Sequence, residues 1–263
     1  MTTAYGMCFL CYYSYNQPIK METESKKISI PPSLAILIAG VLIAGAVIYS
    51  SKDNTRVVAL QGAQQQAAAQ GAPQIAVDIR KVKTAGAPFI GNPNAPVTVA
   101  YWYDYQCPFC KRNEEATMPQ LVTDYVDTGK VKIVFKDYEF LGPDSQTLGQ
   151  YSRAVWNVAP DQFYKWHKAV FDNQGTENTG WATKEKIQSI TSGVLGAAVT
   201  SKVTQDVTAN GASYQKIIDS DKSEGAQMGI TGTPGAIIGT QFISGAQPYA
   251  SFKKAIDVAL QAK

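Results

Sequence analysis

Histidine is almost missing from this chain, which holds a single one, His167, among its 263 residues. A multi-histidine metal site therefore cannot be built, and no metal ligands are assigned. A Ser-His-Asp hydrolase would have to rest wholly on that one residue. Charge is also sparse, at 17% of residues with a net +3. No Lys/Arg block longer than two residues occurs, so the basic face that a nucleic-acid partner demands is absent. Few charges with abundant Gln, Ala, Ser and Thr suit an extracytoplasmic protein. Cysteine is scarce too: four residues in two pairs of equal spacing, Cys8-Phe9-Leu10-Cys11 and Cys107-Pro108-Phe109-Cys110. A zinc site or a structural disulfide framework would need the pairs together. An apolar stretch lies between them, so each pair is judged alone.

That stretch runs without charge from Leu34 to Tyr49, and residues 33–50 read as one transmembrane anchor. The Ile48-Tyr-Ser-Ser-Lys52 segment after it is a poor cleavage site, which favours an uncleaved anchor over a signal peptide. Lys20, Lys26 and Lys27 precede the span while Lys52 and Arg56 follow it, a balance that puts residues 1–32 in the cytoplasm. Two readings of residues 1–20 stay open, a translated segment or an over-extended start ahead of Met21. The Cys8–Cys11 pair has no strand before it and no amphipathic helix after it, and no role is assigned to it. Residues 51–86 read as a Gln/Ala-rich flexible linker. At about 35 residues its r.m.s. reach is roughly 30–35 Å. The domain that follows is then expected on the extracytoplasmic side.

The folded domain is expected over 87–263. Val97–Tyr103 is an almost wholly apolar, β-rich run that reads as a buried central strand. Helical spacing follows over Pro108–Val126, then a second strand over Val131–Phe135. A strand, a helix and a strand in that order make a βαβ unit with a parallel sheet. Residues 144–227 carry helical stretches at Ser145–Val158, Asp161–Phe171, Thr183–Ser192 and Tyr214–Met228. Ala236–Ile238 and Gln241–Ser244 predict a hairpin, and Pro248–Ala262 a last amphipathic helix.

Cys107 directly follows the first strand, and Pro108 suits the first turn of a helix. The Cys107 sulfur therefore faces unpaired amides and the positive end of the helix dipole, where a thiolate is favoured. Each unit of pKa lowering corresponds to about 1.4 kcal/mol. Cys110, one turn further, is the more buried sulfur and the resolving one. Lys111 and Arg112 add positive field, and Phe109 offers a sulfur only its backbone N–H. A zinc site would need two more ligands where the domain offers only His167, and a Cys-x-x-Cys disulfide constrains little of the unfolded chain. Redox exchange is the remaining reading.

The segment Val97-Thr-Val-Ala-Tyr-Trp-Tyr-Asp-Tyr-Gln-Cys-Pro-Phe-Cys-Lys111 resembles the active-site region of DsbA-like thioredoxin-fold proteins. Gly229-Ile-Thr-Gly-Thr-Pro-Gly235, with the strand pair and helix after it, resembles their second motif. The resemblance spans residues 88–261. It implies an α/β thioredoxin fold with a helical insertion between the βαβ and ββα halves, which the apolar run over 33–50 would precede with one transmembrane helix. It also implies a cis Thr233-Pro234 bond beside the reactive sulfur, with Thr233 backbone groups open to a substrate strand. Substrates would be unfolded or reduced secreted proteins, a membrane quinone-linked thiol oxidase would reoxidise the enzyme, and no cofactor is needed beyond the redox-active Cys107–Cys110 disulfide. A reductase or isomerase on the same scaffold, and a non-catalytic tethered peptide-binding module, are the alternatives. The sequence departs from the family at one point. Where many thioredoxin-fold enzymes hold a buried acid, six residues before the first cysteine, Tyr101 stands. Asp104 is expected to face away from Cys110. His167, among aromatics on a helix, reads as a packing or surface residue.

Overall fold

The computed structural model describes residues 76–262. The predicted anchor, most of the predicted linker and the Cys8–Cys11 pair lie outside the described residues. No helix among the described residues is long and apolar enough to cross a membrane.

The central strand β2 (Val97–Tyr103) is buried along nearly its whole length. It runs parallel to β3 (Val131–Asp137), with Val97 opposite Val131 and Tyr103 opposite Asp137. The short β1 (Phe89–Ile90) adds antiparallel to β3. Antiparallel β4 (Gly235–Ile238) and β5 (Gln241–Ser244) complete the order β1-β3-β2-β4-β5. Alternation along β2 feeds two cores. Val97, Val99, Tyr101 and Tyr103 pack with Met118, Leu121, Phe252 and Ile256. Ala100 and Trp102 pack with Val77, Val82, Ile230 and Ile237 on the other face. The thioredoxin-fold α/β expectation matches this mixed sheet.

Three sequence expectations need correction. The helix expected over Pro108–Val126 is broken into α1 (Pro108–Ala116) and α2 (Met118–Leu121), followed by a widened turn at Val122–Val126. Pro119 has no N–H to continue the ladder, and its ring would crowd the carbonyl of Glu115. The break also lets Thr117 Oγ1 donate to the Gln247 carbonyl at 3.1 Å. Secondly, the folded domain begins ahead of residue 87. Val77 and Val82 are buried on the second core, and the amide of Ile79 donates to the Gly239 carbonyl at 2.8 Å. Residues 77–86 therefore belong to the domain rather than to the linker.

The helical insertion consists of α3 (Pro143–Val158), α4 (Phe163–Asp172), α5 (Lys184–Leu195) and α6 (Ala197–Gln227). The third correction is α6, which starts well before the expected Tyr214. Its first half is rich in Thr and Val, poor helix formers by propensity. Thr200, Thr204 and Thr208 return their hydroxyls to the carbonyls one turn back, at 2.9, 2.9 and 2.8 Å. Helix α7 (Tyr249–Gln261) closes the chain.

A buried ionic cluster pins the insertion to the sheet. Lys136 of β3 pairs with Asp221 and, at 3.0 Å, with Glu224 of α6, while Arg153 of α3 bridges Asp137 and Asp221. Such a cluster contributes orientation more than net stability, since desolvation offsets most of the Coulomb gain.

Candidate active site

Cys107 caps α1 from an extended backbone conformation, and Pro108 supplies the first helical residue. Strand β2 fixes where the turn begins, and three interactions fix its shape. Asp104, wholly buried, accepts from the Gln106 amide at 2.8 Å, the Phe140 and Leu141 amides at 2.9 and 3.1 Å, and Ser145 Oγ at 2.7 Å. Gln174, from the insertion, donates to the carbonyls of Tyr105 at 2.7 Å and Cys107 at 3.1 Å. Gln106 accepts from the Asn178 amide at 2.9 Å. Asp104 is thus a brace of the active-site turn, directed at the β3–α3 loop.

Both sulfurs are free thiols. Thr233 and Pro234, distant in sequence, are brought against them: the peptide bond between them is cis, and Cys107 Sγ donates to the Thr233 carbonyl at 3.3 Å. The Cys107 thiol is pulled down to about 6 from an ordinary 9.0. The Cys110 thiol beside it contributes most, opposed by partial burial; the Thr233 side chain and the amides of Cys110 and Phe109 add to the lowering. Cys110 goes the other way. Complete burial pushes its thiol well above the ordinary value, and the neighbouring Cys107 adds to that. One sulfur is therefore a thiolate at neutral pH while its partner keeps its proton.

Phe109 is more than half exposed, at 54%, with the Arg112 guanidinium 5.2 Å from its ring centroid. Arg112 also donates to the Ala246 carbonyl at 3.3 Å, which anchors that stack to the loop after β5. Phe140, at 45%, is the other exposed aromatic on a loop tied to the active-site turn. Tyr101 accepts from Asn113 Nδ2 of α1 at 3.2 Å. Burial first, then the nearby Cys110 and Glu114, hold its phenol well above the ordinary value, so it cannot serve as a base.

Two residues to which sequence reasoning gave no such place stand behind Cys110. Glu114, one helical turn beyond it, is almost fully buried, and His167 of α4 is wholly so. His167 Nε2 lies 3.3 Å from Glu114 Oε1, and His167 Nδ1 shares a 2.9 Å hydrogen bond with Tyr105 Oη. Of the two readings of His167, packing or surface, this burial among aromatic rings excludes the surface one. The signal that could have found Glu114 was its i+4 spacing from Cys110, which puts an acid on the buried face of α1. Nothing local in the sequence marks its pairing with His167. No group of metal-binding side chains occurs among the described residues.

A family profile described as Thioredoxin matches residues 83–258. The chain is 28% identical over 183 residues to "Disulfide bond formation protein D" of Bacillus subtilis, covering 68% of this chain and 79% of that one. The crystal structure of oxidised BdbD from Bacillus subtilis superposes with a TM-score of 0.64 at 25% identity, over 72% of this chain and all of that one. The thiol-disulfide exchange protein alpha-DsbA2 from Wolbachia pipientis shares the fold, with a TM-score of 0.58 at 24% identity, over 66% of this chain and 87% of that one.

Proposed function

We propose that this chain, which belongs to the DsbA-like thioredoxin family and is a thiol–disulfide oxidoreductase, introduces disulfides into secreted or surface proteins on the extracytoplasmic side of a membrane. The observation that carries the direction is the asymmetry of the cysteine pair. A Cys107 thiol lowered to about 6 stabilises the reduced enzyme as a thiolate. A stabilised reduced form makes the corresponding disulfide a stronger oxidant.

In the forward reaction a substrate thiolate attacks Cys107 Sγ of the Cys107–Cys110 disulfide. The S–S bond breaks, Cys110 leaves with its electron pair and takes a proton, and a substrate–Cys107 mixed disulfide forms. A second substrate thiolate then displaces Cys107, which departs as the stabilised thiolate. The Thr233 carbonyl beside Cys107 is a backbone acceptor for an incoming extended substrate strand, and Phe109 offers it an apolar contact. Reoxidation falls to a membrane quinone-linked thiol oxidase. The uncharged run over residues 33–50 supports a tether to the same bilayer, and the Gln/Ala-rich segment after it supplies reach.

The test is the equilibrium potential of the full chain against a glutathione buffer. A value above about −200 mV is expected, and one near thioredoxin's, about −270 mV, would instead make the chain a reductase. Full retention of the chain's biological action on its protein clients through peptide binding in Cys107→Ala would instead favour the non-catalytic peptide-binding module.

A further inference from the structure

Because Cys110 is sealed from solvent, its proton cannot be exchanged directly with water. Each catalytic cycle nevertheless requires that proton to arrive and to leave. Tyr101, in the place where an acid would be expected, holds its own proton too tightly to help. Asp104 is committed to four donors on the other side of the turn. Glu114 is different. It is buried one turn from Cys110, neither carboxyl oxygen makes a well-aligned hydrogen bond among the described residues although the Tyr164 phenol lies beside it, and His167 Nε2, facing it at 3.3 Å, makes none either. Leaving such groups buried and unmatched costs about 1–3 kcal/mol each, a cost tolerated where the group has work to do.

We propose that Glu114 and His167 together hold and move the Cys110 proton, with Tyr105 Oη linking the imidazole onward to Ser152. The inference rests on the oxidoreductase reading and concerns the resolving step. When Cys107 carries a partner sulfur after attack on a partner disulfide, the Cys110 S–H proton passes to the Glu114 carboxylate. The Cys110 electron pair forms the new bond to Cys107 Sγ, the Cys107–partner bond breaks, and the partner leaves as a thiolate. The dithiol is oxidised by two electrons, and the partner disulfide is reduced by the same two.

Glu114 shares this proton with His167 Nε2, while Nδ1–H donates to Tyr105 Oη, and the buried pair stores it for as long as the Cys107–Cys110 disulfide lasts. Tyr105 donates to Ser152 Oγ at 3.1 Å, and Tyr103 shares a 3.2 Å contact with the same oxygen. Return of the stored proton from the pair to Cys110, when Cys110 is next expelled as a thiolate, serves the opposite half of the cycle. His167 is therefore a positioning residue that acts through Glu114. The ionisable groups facing this pair are Tyr101, Tyr103 and Tyr105 from β2 and its turn, Tyr164 from α4, and Cys107 and Cys110 at the start of α1. Burial, the largest cause for each, holds all four phenols above their ordinary values, so none of them ionises, and of the four only Tyr105 is hydrogen-bonded to His167.

The experiment follows the reduced full chain reacting with glutathione disulfide, with formation and resolution of the Cys107–glutathione mixed disulfide timed separately across pH 5–9. In Glu114→Gln, His167→Phe and His167→Gln, resolution is expected to slow by about tenfold to a hundredfold at pH 7. It should recover towards the wild-type rate as pH rises and Cys110 ionises unaided. His167→Gln keeps a hydrogen-bonding amide but cannot relay, so a wild-type rate and pH profile there would reduce His167 to packing and overturn the proposal. Should the His167 variants fail to fold, the isosteric Glu114→Gln decides by the same two outcomes. A wild-type chain that exchanges no thiol with glutathione disulfide would instead sink the proposed function, and this inference with it.

Discussion

Cys107 and Cys110 share one helical turn yet are driven apart because only one reaches the helix end. Cys107 has the free amides and a second thiol to stabilise its charge, whereas Cys110 has a sealed apolar surround. With its folded value lowered to about 6 from 9.0, Cys107 binds fewer protons in the folded dithiol than in the unfolded chain between those limits. The reduced form therefore gains stability as pH rises from 6 to 9 and loses that gain as pH falls through 6. The oxidised form has no thiol here to titrate. The melting temperature of the reduced protein is expected to climb relative to the oxidised protein over that window, and iodoacetamide alkylation of Cys107 to show a midpoint near 6. A flat difference would contradict the assignment. At this scale the reactive cysteines were readable, since redox and helix-capping chemistry impose their spacing, and Thr233-Pro234 was readable only through the resemblance to DsbA-like proteins. Glu114 and His167 were not, because their meaning lies in a contact between α1 and α4.

Helices α5 and α6 show how packing, rather than composition, sets the value of a glycine. Gly193 in α5 would meet nothing within 4 Å if given a Cβ, while at Gly225 in α6 the new atom would lie 2.8 Å from Trp102 Nε1 and 3.2 Å from Tyr138 Cδ2. Gly193→Ala is expected to stabilise the protein by about 0.5–1 kcal/mol through reduced backbone entropy. Gly225→Ala should cost about 1–3 kcal/mol, since α6 must move off the strand it covers. Urea denaturation of the two variants checks both signs together. Strands β2 to β5 and the last helix were legible from period and turn residues. The break at Pro119 was written locally, since a proline inside a helical pattern interrupts the ladder, whereas the Thr-rich start of α6 was not legible, since side chain–backbone bonds and packing against α3 and α5 override weak propensity there.

For the molecule as a whole, the second face of the sheet is completed by residues that precede the expected domain start. A chain beginning at Ala87 would lack Val77 and Val82 and expose Ala100 and Ile237, and should lose about 3–6 kcal/mol relative to one beginning at residue 76. Denaturant midpoints of the two chains measure this, and equal midpoints would return those residues to the linker. By itself the sequence determined the α/β pattern and the reactive pair, because hydrophobic period and helix-capping chemistry are local quantities written along the chain, and the resemblance of its two motifs to DsbA-like proteins added the fold family and the partner loop. Only the tertiary structure decided where the domain starts, which charges are buried together and what stands behind Cys110. Those are properties of surfaces meeting across more than a hundred residues in the case of Lys83 and Glu224, and no local pattern encodes them.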